Sequence, residues 1–220
     1  MSEPLLSLRR NGLLLAGVAL FAATLLAGIN HWARPLLEFN RAEALRAELG
    51  ELVPAQFHDQ PLDQGVELLR AELLGRGEQK LYRAWLHDQV TAVLFTAVAA
   101  DGYNGAIRLL LAVSADQQLL GVRVLEHRET PGLGDAIERR KSDWVDGFTG
   151  RSLADPALSG WAVRKDGGQF DQFTAATITP RAVVRAVKRA LIYVEQHHQQ
   201  LFLVKPEQPV ESGPGKQVKR

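Results

Sequence analysis

Residues 81–128 read LYRAWLHDQVTAVLFTAVAADGYNGAIRLLLAVSADQQLLGVRVLEHR, and the fold class turns on how that run divides. Four apolar pieces, LYRAWLH, TAVLFTAVA, GAIRLLLAVS and LLGVRVLEH, are separated by turn-prone residues, which predicts consecutive strands. Asp101-Gly102 and Ala115-Asp116-Gln117 mark two of the hairpins. In the last piece Val122 and Val124 alternate with Arg123, the period of a half-buried strand. An antiparallel sheet with one covered face is the predicted core of an α+β fold.

Downstream, the sheet runs into Glu129-Thr130-Pro131-Gly132-Leu133-Gly134-Asp135. One account is a Pro/Gly turn feeding a short helix, with Asp135 as N-cap and Glu138 as the partner of a capping box. The other is a ligand contact. The residue before proline is held extended and two glycines let backbone approach closely, so Leu133 or the loop amides could press on a flat ring. Trp144 and Phe148 read as core packing at the sheet end, with a cofactor wall as the rival. WAVRK, residues 161–165, reads as a strand and Gly167-Gly168 as a turn.

That turn leads into DQFTAATITP, residues 171–180. Thr179-Pro180 reads as an N-cap followed by proline at the first helical position. Val183, Val184, Val187, Ala190, Leu191 and Val194 then recur at helical spacing. Thr177 stands just before this helix, whose first turn offers unpaired N–H donors and the positive end of a dipole, with Arg181 and Arg185 nearby. Such a place suits a phosphate. A hydroxyl-rich loop that merely caps a helix fits the same residues.

Upstream, residues 12–29, GLLLAGVALFAATLLAGI, carry no charge and as a helix would span roughly 27 Å. Arg9 and Arg10 precede them, and His31, Trp32 and Arg34 follow, as at a membrane interface. The stretch is longer than a signal-peptide core and lacks a convincing cleavage site, so it reads as an uncleaved anchor. Basic residues on both sides leave its orientation undecided. Residues 36–52 continue as helix, with Pro35 a possible kink, and residues 53–78 read as a loop holding one helix around Val66 to Leu74. The tail from residue 204 is rich in Pro, Gly and charge and is predicted to be disordered.

Composition excludes several classes. Lys plus Arg number 26 against 25 Asp plus Glu, without a basic stripe, which argues against a nucleic-acid surface. The absence of cysteine excludes disulfides, thiolate metal sites, iron–sulfur ligation and cysteine nucleophiles. The six histidines form no convincing ligand pair, so no metal site is predicted. Hydrolase and phosphate-loop signatures are missing, and no catalytic residue is assigned.

Asp171 followed by Thr174, Ala175, Ala176 and Thr177 resembles the flavinylation motif of covalent FMN-binding domains, in which glycine is usual at the position of Ala175. HRETPGLGDAIE, residues 127–138, resembles the second signature of that family. With the apolar N-terminal stretch, residues 5–203 resemble the G subunits of Rnf/Rsx ion-translocating electron-transport complexes. The resemblance implies a transmembrane helix followed by an FMN-binding domain with a mainly antiparallel sheet and packed helices. Residues 1–11 would be a short cytoplasmic tail, 12–29 the anchor, 30–78 a helical connector, 79–203 the domain and 204–220 the tail.

It also implies that a separate flavin transferase esterifies the side-chain oxygen of Thr177 to the FMN phosphate. Thr174 would be a hydrogen-bonding neighbour, while Asp171, Ala175 and Ala176 complete the recognised motif. Glu129, Thr130, Pro131, Gly132, Leu133 and Gly134 would contact the flavin. The implied role is a periplasmic FMN carrier in a bacterial inner membrane, relaying electrons among redox subunits that couple ferredoxin–NAD oxidoreduction to cation movement. No turnover of its own on a soluble substrate is expected. C subunits of sodium-translocating NADH:quinone reductases share both signatures and are one alternative. An anchored non-redox binding or assembly module with an unmodified threonine is another.

Overall fold

The computed structural model describes residues 3–63 and 65–203, with side chains for residues 12, 15–30, 32, 33, 43, 45–63 and 65–203. The predicted disordered tail, 204–220, lies outside the described residues. The first element is one continuous helix, α1 (Glu3–Leu52). Leu15, Leu20, Phe21, Leu26 and Trp32 on it are exposed. Among the described residues no helix is long and apolar enough to cross a membrane, and Leu13 and Leu14 of the 12–29 stretch lie outside the described side chains.

A separate compact unit begins at Glu48. Its centre is a five-stranded sheet of β1 (Glu67–Leu69), β2 (Gln79–Leu86), β3 (Gln89–Gly102), β4 (Gly105–Ser114) and β5 (Leu119–Glu126). The strands lie in sequence order, each antiparallel to the next, as the meander of 81–128 predicts. The helix expected within residues 66–74 is instead the edge strand β1 followed by a 3-10 turn at Glu72–Leu74. Pairing of Leu68 with Lys80 and Leu69 with Gln79 satisfies more backbone there than an isolated helical turn would.

One sheet face, through Val93, Phe95, Leu109 and Leu111, shares a core with α2 (Ile178–Gln196) and its Val183, Val187, Ala190 and Val194. On the opposite parity, Tyr82, Leu94 and Leu110 are also buried, as are Leu49, Leu52 and Val53. Gly121 leaves room for Leu52, whose Cδ2 would lie 2.6 Å from a Cβ there. Both faces are therefore covered where one was predicted. The near-continuous runs AVLF and LLLAV, rather than the alternation of β5, carried that information.

The predicted strand at 161–165 does not form. That segment folds back on itself, with Arg164 N–H donating to Phe170 O at 2.8 Å and Phe170 N–H to Ala162 O at 3.2 Å. Trp161, Phe170 and Phe148 pack ring to ring in the core shared with α2. A short helix, α3 (His198–Phe202), ends the described chain, held by Arg83 Nε donating to Leu201 O at 3.1 Å.

Candidate functional site

Three segments converge beside the N-terminus of α2: the β3–β4 turn at Tyr103 and Asn104, the loop 129–134, and residues 175–179. Between them lies a cleft of about 290 Å³ lined by Tyr103, Glu129, Thr130, Leu133, Gly134, Ala175, Ala176, Thr177, Ile178 and Thr179. At the small end of the roughly 300–1,000 Å³ typical of ligand sites, it takes part of a nucleotide-sized group and leaves the rest at the surface.

Glu129 joins the three segments. The residue is 4% exposed, and its carboxyl group accepts the Asn104 N–H at 3.1 Å and the Thr179 hydroxyl. Asn104 Nδ2 donates to Thr130 Oγ1 at 3.1 Å. Room for the carboxyl is made by missing side chains: a Cβ on Gly102 would lie 2.8 Å from Glu129 Oε1, and one on Gly134 2.9 Å from Thr179 Oγ1. The loop backbone is pinned as well, because Glu129 N–H donates to His127 Nδ1 at 3.0 Å. That leaves His127 Nε2–H to donate to Glu138, 2.9 Å away.

This network displaces the predicted capping box. Asp135 accepts the Gly132 N–H at 2.8 Å and pairs with Lys141 at 3.1 Å, while Glu138 turns to His127, and only a 3-10 turn, Gly134–Ile137, forms. Hydrogen bonding from Lys141 holds Asp135 below the usual carboxylate range, and hydrogen bonding from His127 does the same for Glu138. Both depressed groups contribute stability that is full above the unfolded carboxylate pKa of roughly 4 and is lost as pH falls through their lower folded values. Thermal melts from pH 7 to pH 3 should therefore show stability declining in acid. The Asp135→Asn/Glu138→Gln variant should start lower and decline less steeply; parallel curves would count against the assignment.

Helix α2 begins two residues earlier than predicted. Thr177 is the N-cap, in helical conformation (φ −72°, ψ −27°), and its side chain makes no capping hydrogen bond. Thr179 is inside the first turn and 1% exposed, its hydroxyl committed to Glu129. In the first turn only the Ile178 and Thr179 N–H groups lack acceptors, since Pro180 has no N–H and the Arg181 N–H donates to Thr177 O at 3.3 Å, so a free hydroxyl and two open donors meet beside the cleft. Arg181 and Arg185, expected beside a phosphate, are engaged elsewhere. Arg181 pairs with Asp166 at 2.5 and 2.7 Å, holding that carboxylate below its ordinary pKa, and Arg185 pairs with Asp101.

Residues 102–192, which include all three cleft segments, match the model of the FMN-binding domain family. Over 198 residues the chain is 50% identical to the G subunit of the ion-translocating oxidoreductase complex of Pseudomonas aeruginosa, covering 89% of this chain and 92% of that one. The protein of the same name from Vibrio cholerae is 45% identical over 198 residues, 90% and 95% of the two chains. That from Shewanella oneidensis is 44% identical over 204 residues, 92% and 95%. This chain belongs to the family of G subunits of ion-translocating oxidoreductase complexes. It is a flavin electron-transfer subunit of the Rnf type, and its cofactor is FMN.

The residues at the cleft fit that cofactor: a free hydroxyl with two N–H donors suits a phosphate, and apolar side chains suit a flat ring. Among the site residues expected for such a G subunit, Thr177, Ala175, Ala176, Glu129, Thr130, Leu133 and Gly134 line the cleft. Pro131 and Gly132 are exposed on the same loop outside the lining, where Gly132 takes φ +76° and Leu133 N–H donates to Thr130 O at 3.1 Å. Thr174 is exposed and outside it too. Asp171 pairs with Arg164 at 3.0 Å, and its backbone oxygen accepts the Trp144 indole N–H at 2.8 Å. Trp144 packs edge-on to Phe148 and Phe173, so the core reading of these aromatics holds. Sequence reasoning missed Tyr103 and Asn104; DGYNG signals only a turn. Among the described residues no histidine and carboxylate cluster could hold a metal.

Ala175 has φ +63°, the left-handed region where the wider family pattern has glycine. Relief of roughly 1–2 kcal/mol of left-handed strain is partly offset by the greater unfolded entropy of glycine. Ala175→Gly should therefore stabilise the domain by about 0.5–1 kcal/mol, a rise in Tm of roughly 1–4 °C. A lowered Tm by circular dichroism would contradict the conformation described for this turn.

Proposed function

We propose that this protein is a membrane-anchored FMN carrier of an Rnf-type ferredoxin–NAD oxidoreductase complex, with FMN bonded through its phosphate to Thr177. The observation that carries the reading is Thr177 itself: its hydroxyl borders the cleft, at a helix N-terminus, without a capping bond to occupy it. A phosphoester there forms with net loss of one water. The ester leaves the phosphate charge next to the first-turn N–H groups of α2. When bound, FMN supplies electron chemistry that this cysteine-free chain lacks.

The chain's own residues hold and orient it. Thr177 fixes the phosphate end, and Glu129 keeps the 129–134 loop against the start of α2 through Thr179. The shallow cleft leaves part of the ring at the surface, which suits electron exchange with neighbouring redox subunits. The relatives' names, each that of a subunit of a complex, support such partners. A covalent tether suits a carrier whose domain lies outside the cytoplasm, where a lost flavin is not readily replaced, and it requires a flavin transferase.

Anchoring by residues 12–29 is supported by their lack of charge and by the one hydroxyl among them, since Thr24 Oγ1 donates to Leu20 O at 2.7 Å. No polar side chain is then left unsatisfied in lipid. The test is the intact mass of protein made together with a flavin transferase. The mass should rise by one FMN less water, with the addition mapping to the peptide containing Thr177. An unmodified mass, or an addition elsewhere, defeats the proposal.

A further inference from the structure

We propose that Tyr103 is a wall of the cofactor site, its phenol ring lying against the flavin ring system. This rests on the reading that the cleft holds FMN on Thr177. Tyr103 lines the cleft, is 64% exposed, and its hydroxyl has no hydrogen-bond partner among the described residues. The turn that carries it is fastened: Asn104, the next residue, donates its N–H to Glu129 and its side-chain amide to Thr130. Gly102 opposes Gly105 so closely that a Cβ would lie 2.3 Å from the Gly105 oxygen.

A large aromatic held out on a rigid turn keeps a wide apolar face in water, which is unfavourable unless a flat partner covers it. The rest of the lining points to the same partner. Tyr103, Leu133 and Ile178 are three of the seven large apolar side chains exposed among the described residues of the unit that begins at Glu48, and all three border this one cleft. The lining thus offers donors for a phosphate and apolar side chains for a planar ring, with Tyr103 the only tyrosine or tryptophan in it.

The test uses the phenol's chemistry. Light-excited flavin in contact with a tyrosine takes an electron from the phenol and returns it without emitting, whereas phenylalanine holds its electrons too tightly to quench. Wild type, Tyr103→Phe and Tyr103→Ala are made with the flavin transferase, and flavin content is matched by absorbance. Emission per flavin should rise several-fold in Tyr103→Phe and in Tyr103→Ala, with an unchanged circular dichroism spectrum and, for Tyr103→Phe, an unchanged Tm. Equal emission from Tyr103→Phe and wild type at equal flavin content overturns the inference while leaving Thr177 attachment standing. Wild type that carries no flavin removes both, and the mass measurement reveals that before any variant is compared.

Discussion

Thr177→Ala protein made with a flavin transferase should carry no covalent FMN, while its fold and stability stay within about 0.5 kcal/mol of wild type. Both halves follow from one feature. An N-cap threonine replaced by alanine ordinarily costs about 0.5–2 kcal/mol because a capping hydrogen bond is lost. Thr177 makes no such bond, so the substitution removes only a hydroxyl that α2 does not use. Thr177→Ser retains an oxygen at that position and should retain flavin, at a yield set by how well a freer rotamer presents it. The check is flavin fluorescence in a denaturing gel, with melting temperature measured in parallel. Fluorescence persisting in Thr177→Ala would mean another side chain bears the ester. A large loss of stability would mean that the hydroxyl is structural after all.

What was legible in the sequence follows a physical division between local and distant causes. Strand β4 matches the piece GAIRLLLAVS end for end, and α2 follows the spacing of Val183, Val187 and Val194, because both signals are written in neighbouring residues. The start of α2 was misplaced for the opposite reason. Thr177 and Thr179 are equally good N-cap types, and what separates them is Glu129, fifty positions earlier, which claims the Thr179 hydroxyl. Arg181 and Arg185 were drawn off in the same way by Asp166 and Asp101. Of the loop residues named from their motif, Glu129, Thr130, Leu133 and Gly134 line the cleft. Tyr103 carried no motif, and only the antiparallel pairing of β3 with β4 brings it to the cleft.

Glu129→Ala should be the most damaging single change at the cleft, because no other side chain there is hydrogen-bonded to two of the three converging segments at once. Among the described residues no cation pairs with this carboxyl; it is held by the Asn104 N–H and the Thr179 hydroxyl alone. Truncation strands the Thr179 hydroxyl, on a residue 1% exposed, at about 1–3 kcal/mol, and loses the hydrogen bond of the Asn104 N–H, on an exposed residue that water can reach, at about 1 kcal/mol. The expected total is about 2–4 kcal/mol, a fall in Tm of roughly 4–16 °C. Glu129→Gln keeps the volume and one acceptor oxygen, and the Thr179 hydroxyl can rotate to accept from the new amide, so its loss should be the smaller. Flavin loading should fall with Glu129→Ala even where folded protein is recovered, since the β3–β4 turn and the first turn of α2 are no longer held to a common point. The sharper measurement is a double-mutant cycle with Thr179→Val, which deletes the hydroxyl at nearly constant shape. Coupling of about 0.5–3 kcal/mol is expected for residues sharing one buried hydrogen bond. Strict additivity would mean that Glu129 and Thr179 act independently, and that the loop is held to α2 by packing alone.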